Sequence, residues 1–128
     1  MNKDFEVGQS NELIRQGEIY DLHNLYDFGQ ISIGGNLRVQ ISFTPNVQHG
    51  KGQRPIVLDF EAVDYLELSE RFGVRPISLL EEMGYKNPED HDHEWLMSER
   101  QAMETDHLFF RLGGDDFIRI HGRQARLR

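Results

Sequence analysis

The run densest in groups able to do chemistry is Asp90-His91-Asp92-His93-Glu94, two imidazoles among three carboxylates. Such donors suit zinc, manganese or iron. On a helix, residues two apart do not share a face, and the pairs that do are His91–Glu94 and Asp90–Glu94. In an extended chain His91 and His93 would share a face instead. The favoured reading is an acidic first helical turn that happens to contain histidines. A metal-dependent hydrolase using the His91/His93 region is the alternative.

A second pair of imidazoles, His107 and His121, lies in the two arms of a hairpin turning at Gly113-Gly114-Asp115-Asp116. A two-residue loop leaves His121 one step out of register with His107. A three-residue loop pairs Leu112 with Asp116, sets the histidines face to face, and alone gathers Leu108, Phe110, Leu112, Ile118 and Ile120 on one face. The three-residue loop is therefore expected, with the histidines as a surface pair. On their side of the hairpin Arg111 and Arg119 alternate with Phe109 and Phe117, the mixture used by single-strand nucleic-acid platforms.

The charge balance opposes that use. The chain carries 14 Lys+Arg against 22 Asp+Glu, a formal charge of −8. From Arg111 onward arginines outnumber acids, which leaves the remainder more acidic still, and an acidic body repels a polyanion. Pairing of the C-terminal arginines with acids on the strand Asp59–Glu67 is preferred, and nucleic acid is not expected as a partner. Asp59, Glu61 and Glu67 fall in one phase of that strand, on its expected solvent face. Neither Gly34-Gly35-Asn36 nor Gly113-Gly114 opens a helix behind a Walker lysine, so neither is a phosphate loop. No cofactor is expected.

The elements that would position these groups follow from periodicity. Ile31 and Ile33, then Leu37, Val39, Ile41 and Phe43, alternate with polar residues around Gly34-Gly35-Asn36. This predicts a β-hairpin with Ile33 opposite Leu37. Thr44–Arg54 reads as a polar loop. Ile56–Leu68 alternates over a length that calls for a bulge or corner near Ala62–Asp64. Pro76 followed by Ile77, Leu80 and Met83, with Gly84 past the end, predicts a short helix. Asn87-Pro88-Glu89-Asp90 predicts an N-cap and a second helix over Pro88–Glu104. Ser10–Gln16 suits a short helix ending at Gly17, and Gln124–Arg128 an edge strand. The expected fold is α+β: an antiparallel β-sheet of five to seven strands, hairpin-rich, with two short helices packed on one face, in a single domain of 128 residues.

Ile56-Val57-Leu58-Asp59-Phe60-Glu61-Ala62-Val63-Asp64-Tyr65-Leu66 carries an L-x-F-x-x-V-x-x-L pattern. In a small acidic chain with a helical insert and an aromatic closing strand, it resembles several families of uncharacterised bacterial proteins, some of them immunity proteins of toxin systems. The resemblance implies a cytoplasmic, non-catalytic protein that binds one protein partner through an acidic face. The absence of cysteine and of an apolar span near 20 residues agrees with a cytoplasmic placement and no membrane partner. The expectation is an immunity- or antitoxin-like binding module for a basic protein partner, using Asp59, Glu61, Glu67, Asp90 and Asp92. A third reading is a small-ligand pocket lined by Tyr20, Tyr26 and Trp95.

Overall fold

A computed structural model describes residues 1–128. In chain order the elements are β1 (Asn2–Lys3), β2 (Glu6–Val7), β3 (Glu12–Arg15), β4 (Glu18–Asp21), α1 (Leu22–Leu25) and β5 (Tyr26–Ile33). They continue with β6 (Val39–Pro45), β7 (Ile56–Leu68), β8 (Leu80–Lys86), β9 (His107–Leu112) and β10 (Phe117–Leu127). One sheet has seven strands in the order β5-β6-β7-β10-β9-β8, with β1 added parallel to the distal half of β10. A second sheet, β2-β3-β4, has three. The large sheet curls until its edges approach, where Phe28 N donates to Ser78 O at 2.7 Å. Inside the curl 23 buried residues form one core. Phe28 meets Phe43 edge-on at 6.0 Å, and Phe43 lies 6.3 Å from Phe110. No helix is long and apolar enough to cross a membrane.

The expected α+β architecture is therefore corrected: the chain is mostly antiparallel β, with α1 as its lone α-helix and no helices laid on a face. The segment expected as the helix after Pro76 is strand β8 from Leu80 onward. Gly84 is not a helix stop. A Cβ there would stand 2.8 Å from both Leu96 Cβ and Met97 O, so the glycine lets a neighbouring segment press against the strand. Pro88–Glu104 is likewise not helical. Asn87 captures its neighbours as a turn does: its Oδ1 accepts from Glu89 N at 2.9 Å. Asp90 Oδ1 then accepts from Asp92 N at 3.0 Å, and Asp92 Oδ1 from Glu94 N at 2.5 Å. The side chains that recommend a helix cap also compete with the helix ladder when they recur every second or third residue. Ser10–Gln16 contains strand β3, and Gln16 (φ 50°) with Gly17 (φ 82°) forms the two-residue turn into β4. Gln124–Leu127 continues the central strand β10 and is not an edge.

The hairpin β5–β6 forms with Val39, Ile41 and Phe43 buried. Its loop is longer than expected: Ile33 faces Val39, because Asn36 (φ 60°) and Leu37 (φ 57°) both take left-handed conformations in the turn. A shift of two residues keeps Val39, Ile41 and Phe43 on their expected face, but Leu37, expected to be buried with them, sits in the turn 66% exposed, beside Ile33 at 65%. β7 runs unbroken and bends at Ala62 (φ 49°), where pairing shifts from Tyr65↔His121 to Val63↔Gly122. That is the anticipated bulge. The final hairpin turns through the three residues Gly113–Asp115, and Leu112 N donates to Asp116 O at 2.8 Å.

Candidate functional site

The three-residue loop sets His107 beside His121, with ring centroids 5.7 Å apart. It also stacks Phe109 on Phe117 at 5.2 Å on the outer face of β9–β10. Residues 87–97, a strap without helix, lie across this face. The His93 ring rests 4.4 Å from Phe117 and 5.5 Å from Phe109. Tyr85 and Met97 exchange backbone hydrogen bonds of 3.0 and 2.8 Å, fixing the far end of the strap to β8.

Three cations hold the strap from below. Arg119, fully buried, donates from Nη1 to Asp90 O at 2.8 Å, from Nη2 to Asn87 O at 2.9 Å, and from Nε to His107 Nδ1 at 2.9 Å. Arg111 donates to the carbonyl of His93 and lies over the Phe109 ring. The buried Lys86 ammonium donates to Asp90 Oδ2 at 3.1 Å. That bond, aided by the Asp92 amide, holds the Asp90 carboxyl below its usual range. Arg119 takes the strap carbonyls that a helix would have used for itself, a second reason why no helix forms here.

Around this clamp the ionisable groups are already engaged. Because His107 Nδ1 accepts from Arg119, its proton resides on Nε2. Burial first, then the charges of Arg119 and His121, lower the His107 pKa to about 4. The His107 ring stacks on Tyr65 at 4.2 Å, and Tyr65 donates to Glu67 Oε1 at 2.6 Å, a bond that raises the phenol's pKa. His121 Nδ1 is 2.6 Å from Asp64 Oδ1, the geometry of a base oriented by a carboxylate. Its Nε2, however, faces Glu104 O at 3.1 Å, so the nitrogen that would work on a substrate is occupied. His91 is exposed, while His93 packs on the two phenylalanines.

The five residues expected to bind a partner divide in two. Glu67, Asp90 and Asp92 lie in or beside the strap: Glu67 Oε2 is 3.9 Å from His93 Nε2, Asp90 is half-buried and Asp92 exposed. Asp59 and Glu61 lie beyond the bulge at the other end of β7. Asp59 is not on a solvent face; it is 1% exposed. Arg38 donates to it from Nε at 2.8 Å and Nη2 at 2.5 Å, and Arg128 from Nε at 2.9 Å. The Arg38 bond is the main reason its pKa is lowered. Glu61, half-buried, accepts from Gln124 at 3.4 Å. Arg128 with Asp59 is the arginine–acid pairing expected between the C-terminal segment and this strand. Tyr20, Tyr26 and Trp95 do not line one pocket. The two tyrosines are core residues, Tyr26 donating to Arg54 O at 2.8 Å, whereas Trp95 stands on the strap 81% exposed.

Sequence reasoning passed over Lys86 and Tyr65 and misplaced Trp95. The available signal was a pair of potential cations, Lys86 and Arg119, in strands rich in buried apolar residues, where a charge has to meet a partner. No family model matches this chain, and no curated protein or solved structure matches it.

Proposed function

We propose that the protein is a binding module for one basic macromolecular partner, immunity-like in that it occupies the partner and transforms no substrate, and that it does so in the cytoplasm. The observation that carries this reading is the polarity of the strap. The cations beneath it, Lys86, Arg111 and Arg119, are consumed by its carbonyls and Asp90, while its own Glu89, Asp92, Glu94 and Trp95 face solvent. An exposed tryptophan ringed by acids supplies both an anchor and a sign. The acidic surface would accelerate encounter with a basic partner and make the association salt-dependent. Glu67 extends the same surface, and Asp90 lies at its margin with its charge balanced by Lys86. Asp59 leaves the set, because its charge is neutralised internally.

The test is capture of basic partners from the native cell at low and high salt, with Asp92→Lys/Glu94→Lys and Trp95→Ala variants alongside the parent. The expected result is a stoichiometric basic partner held at low salt and lost in both variants and at high salt. Turnover of a small substrate, with no partner retained under any condition, would refute the reading.

A further inference from the structure

The end of β7 beyond Val63, whose N donates to Leu37 O at 2.9 Å, has an open edge. Pairing with β6 covers only Ile56–Phe60, whereas β7 continues to Leu68. The hydrogen-bond phase there is set by two bonds. Ser69 N donates to Phe117 O at 3.2 Å, and Leu112 N to Asp116 O at 2.8 Å. By alternation Tyr65 and Glu67 direct their backbone groups to β10, while Ile118 and Ile120 direct theirs to β9. Leu66 and Leu68 consequently aim their N–H and C=O groups away from the sheet, and neither residue makes a hydrogen bond to the rest of the chain there. Beside this edge a groove of about 450 Å³ opens between the hairpin tip and β7. Ile33, Leu37, Val63 and Leu66 give it an apolar wall; Asp64 lies on its rim. Arg38, at its far end, is engaged by Asp59. Glu67, one residue beyond Leu66, connects this rim to the strap through His93.

We infer that this edge receives an extended segment of the basic partner as an added strand, in which basic and apolar residues alternate. The inference rests on the binding reading given above and locates the contact. Backbone groups of Leu66 and Leu68 would pair with the incoming strand, as in β-augmentation. Its apolar residues would enter the groove against Leu37 and Val63. The alternate residues would lie toward Asp64 and Glu67, which stay 68% and 37% exposed beside His121 and Tyr65, so that lysine or arginine is complementary there. The same acids disfavour a second copy of this chain at the edge, since Asp64, Glu67 and Glu70 would meet their own counterparts.

The test uses the full chain and a synthetic nine-residue peptide of alternating lysine and valine, with a second peptide N-methylated on alternate central amides. Amide exchange read by NMR should show Leu66 and Leu68 becoming protected when the first peptide is added. Affinity should fall about tenfold or more with N-methylation, with Leu37→Glu, and with Asp64→Lys/Glu67→Lys. Leu37 is exposed, so Leu37→Glu leaves the fold intact as judged by its amide spectrum. Binding that leaves the Leu66 and Leu68 amides unprotected and is abolished by Trp95→Ala would overturn the edge while sparing the binding reading. Absence of peptide binding would also overturn it, and the strap variants in the capture experiment would then decide the broader reading. Protection that appears only with a doubling of molecular mass would assign the edge to a second copy.

Discussion

His107 is buried with its Nδ1 accepting from Arg119, and its pKa is lowered from 6.5 to about 4, chiefly by burial. In the unfolded chain the imidazole takes up a proton as pH drops through 6.5, while in the folded chain it resists until about 4. The unfolded state therefore binds more protons across that window, and stability falls as pH falls. Above the window His107 contributes no pH dependence; below it the loss is complete. A shift from 6.5 to about 4 corresponds to roughly 3 kcal/mol at most, and about 2 kcal/mol is expected between about pH 7.5 and 4.5. Paired carboxylates such as Asp59, whose pKa is lowered from 3.8, lose their contribution only at lower pH. The assay is urea unfolding at half-unit pH steps, for the parent and for His107→Asn. Asparagine can present an oxygen to Arg119 Nε where the imidazole presented Nδ1, but it does not titrate. The variant should start about 1–2 kcal/mol less stable, having lost the ring stacked on Tyr65. Its stability should then be nearly flat from about pH 7 to 4.5. An unchanged slope in His107→Asn would refute the assignment.

Ile41→Ala should cost about 2–5 kcal/mol in urea unfolding, because Ile41 is fully buried in the core. Gly84→Ala places a methyl 2.8 Å from Leu96 Cβ and Met97 O. It should destabilise by about 1–3 kcal/mol, with faster amide exchange at Met97 as the strap lifts. Removing Arg38 and Arg128 together strands Asp59 buried without a cation. The double alanine variant should unfold at a clearly lower urea concentration at neutral pH and recover part of that loss in acid. Trp95→Ala should stay within about 0.5 kcal/mol of the parent in the same measurement, since the side chain is exposed.

Where alternation decided structure, the elements were legible. Val39, Ile41 and Phe43 announce their strand, and the apolar set of the last hairpin selects a three-residue loop, so that His107 beside His121 could be read in advance. The bend in β7 was likewise visible in the length of its alternating run, Ile56–Leu68. What misled was punctuation whose meaning depends on tertiary context. Gly84 and Gly17 look like helix stops; one admits a packed segment and the other makes a tight turn. Asn87, Asp90 and Asp92 look like an N-terminal cap and its acidic first turn. Each captures a nearby amide, and Arg119, 29 residues away from Asp90, takes carbonyls that a helix would need. The burial of Asp59 was hidden for the same reason, since its two arginines come from a hairpin loop and from residue 128.

The position of β10 has a kinetic consequence. β5, β6 and β7 follow one another as a meander, and β8, β9 and β10 as another, the last two joined by a three-residue turn, so each block pairs strands that are neighbours in sequence. They become one sheet only when β10 pairs with β7, as in Leu127 with Leu58, and β10 also receives β1 from the far end of the sequence. Closing such distant contacts is entropically slow, which places folding in the millisecond-to-second range of all-β chains. Perturbations in β10 should therefore slow folding, while comparable ones in the β5–β6 hairpin tip should mainly speed unfolding. Until β10 docks, the inward faces of both blocks and the edge of β7 remain uncovered, and this interval is when the chain is most exposed to aggregation.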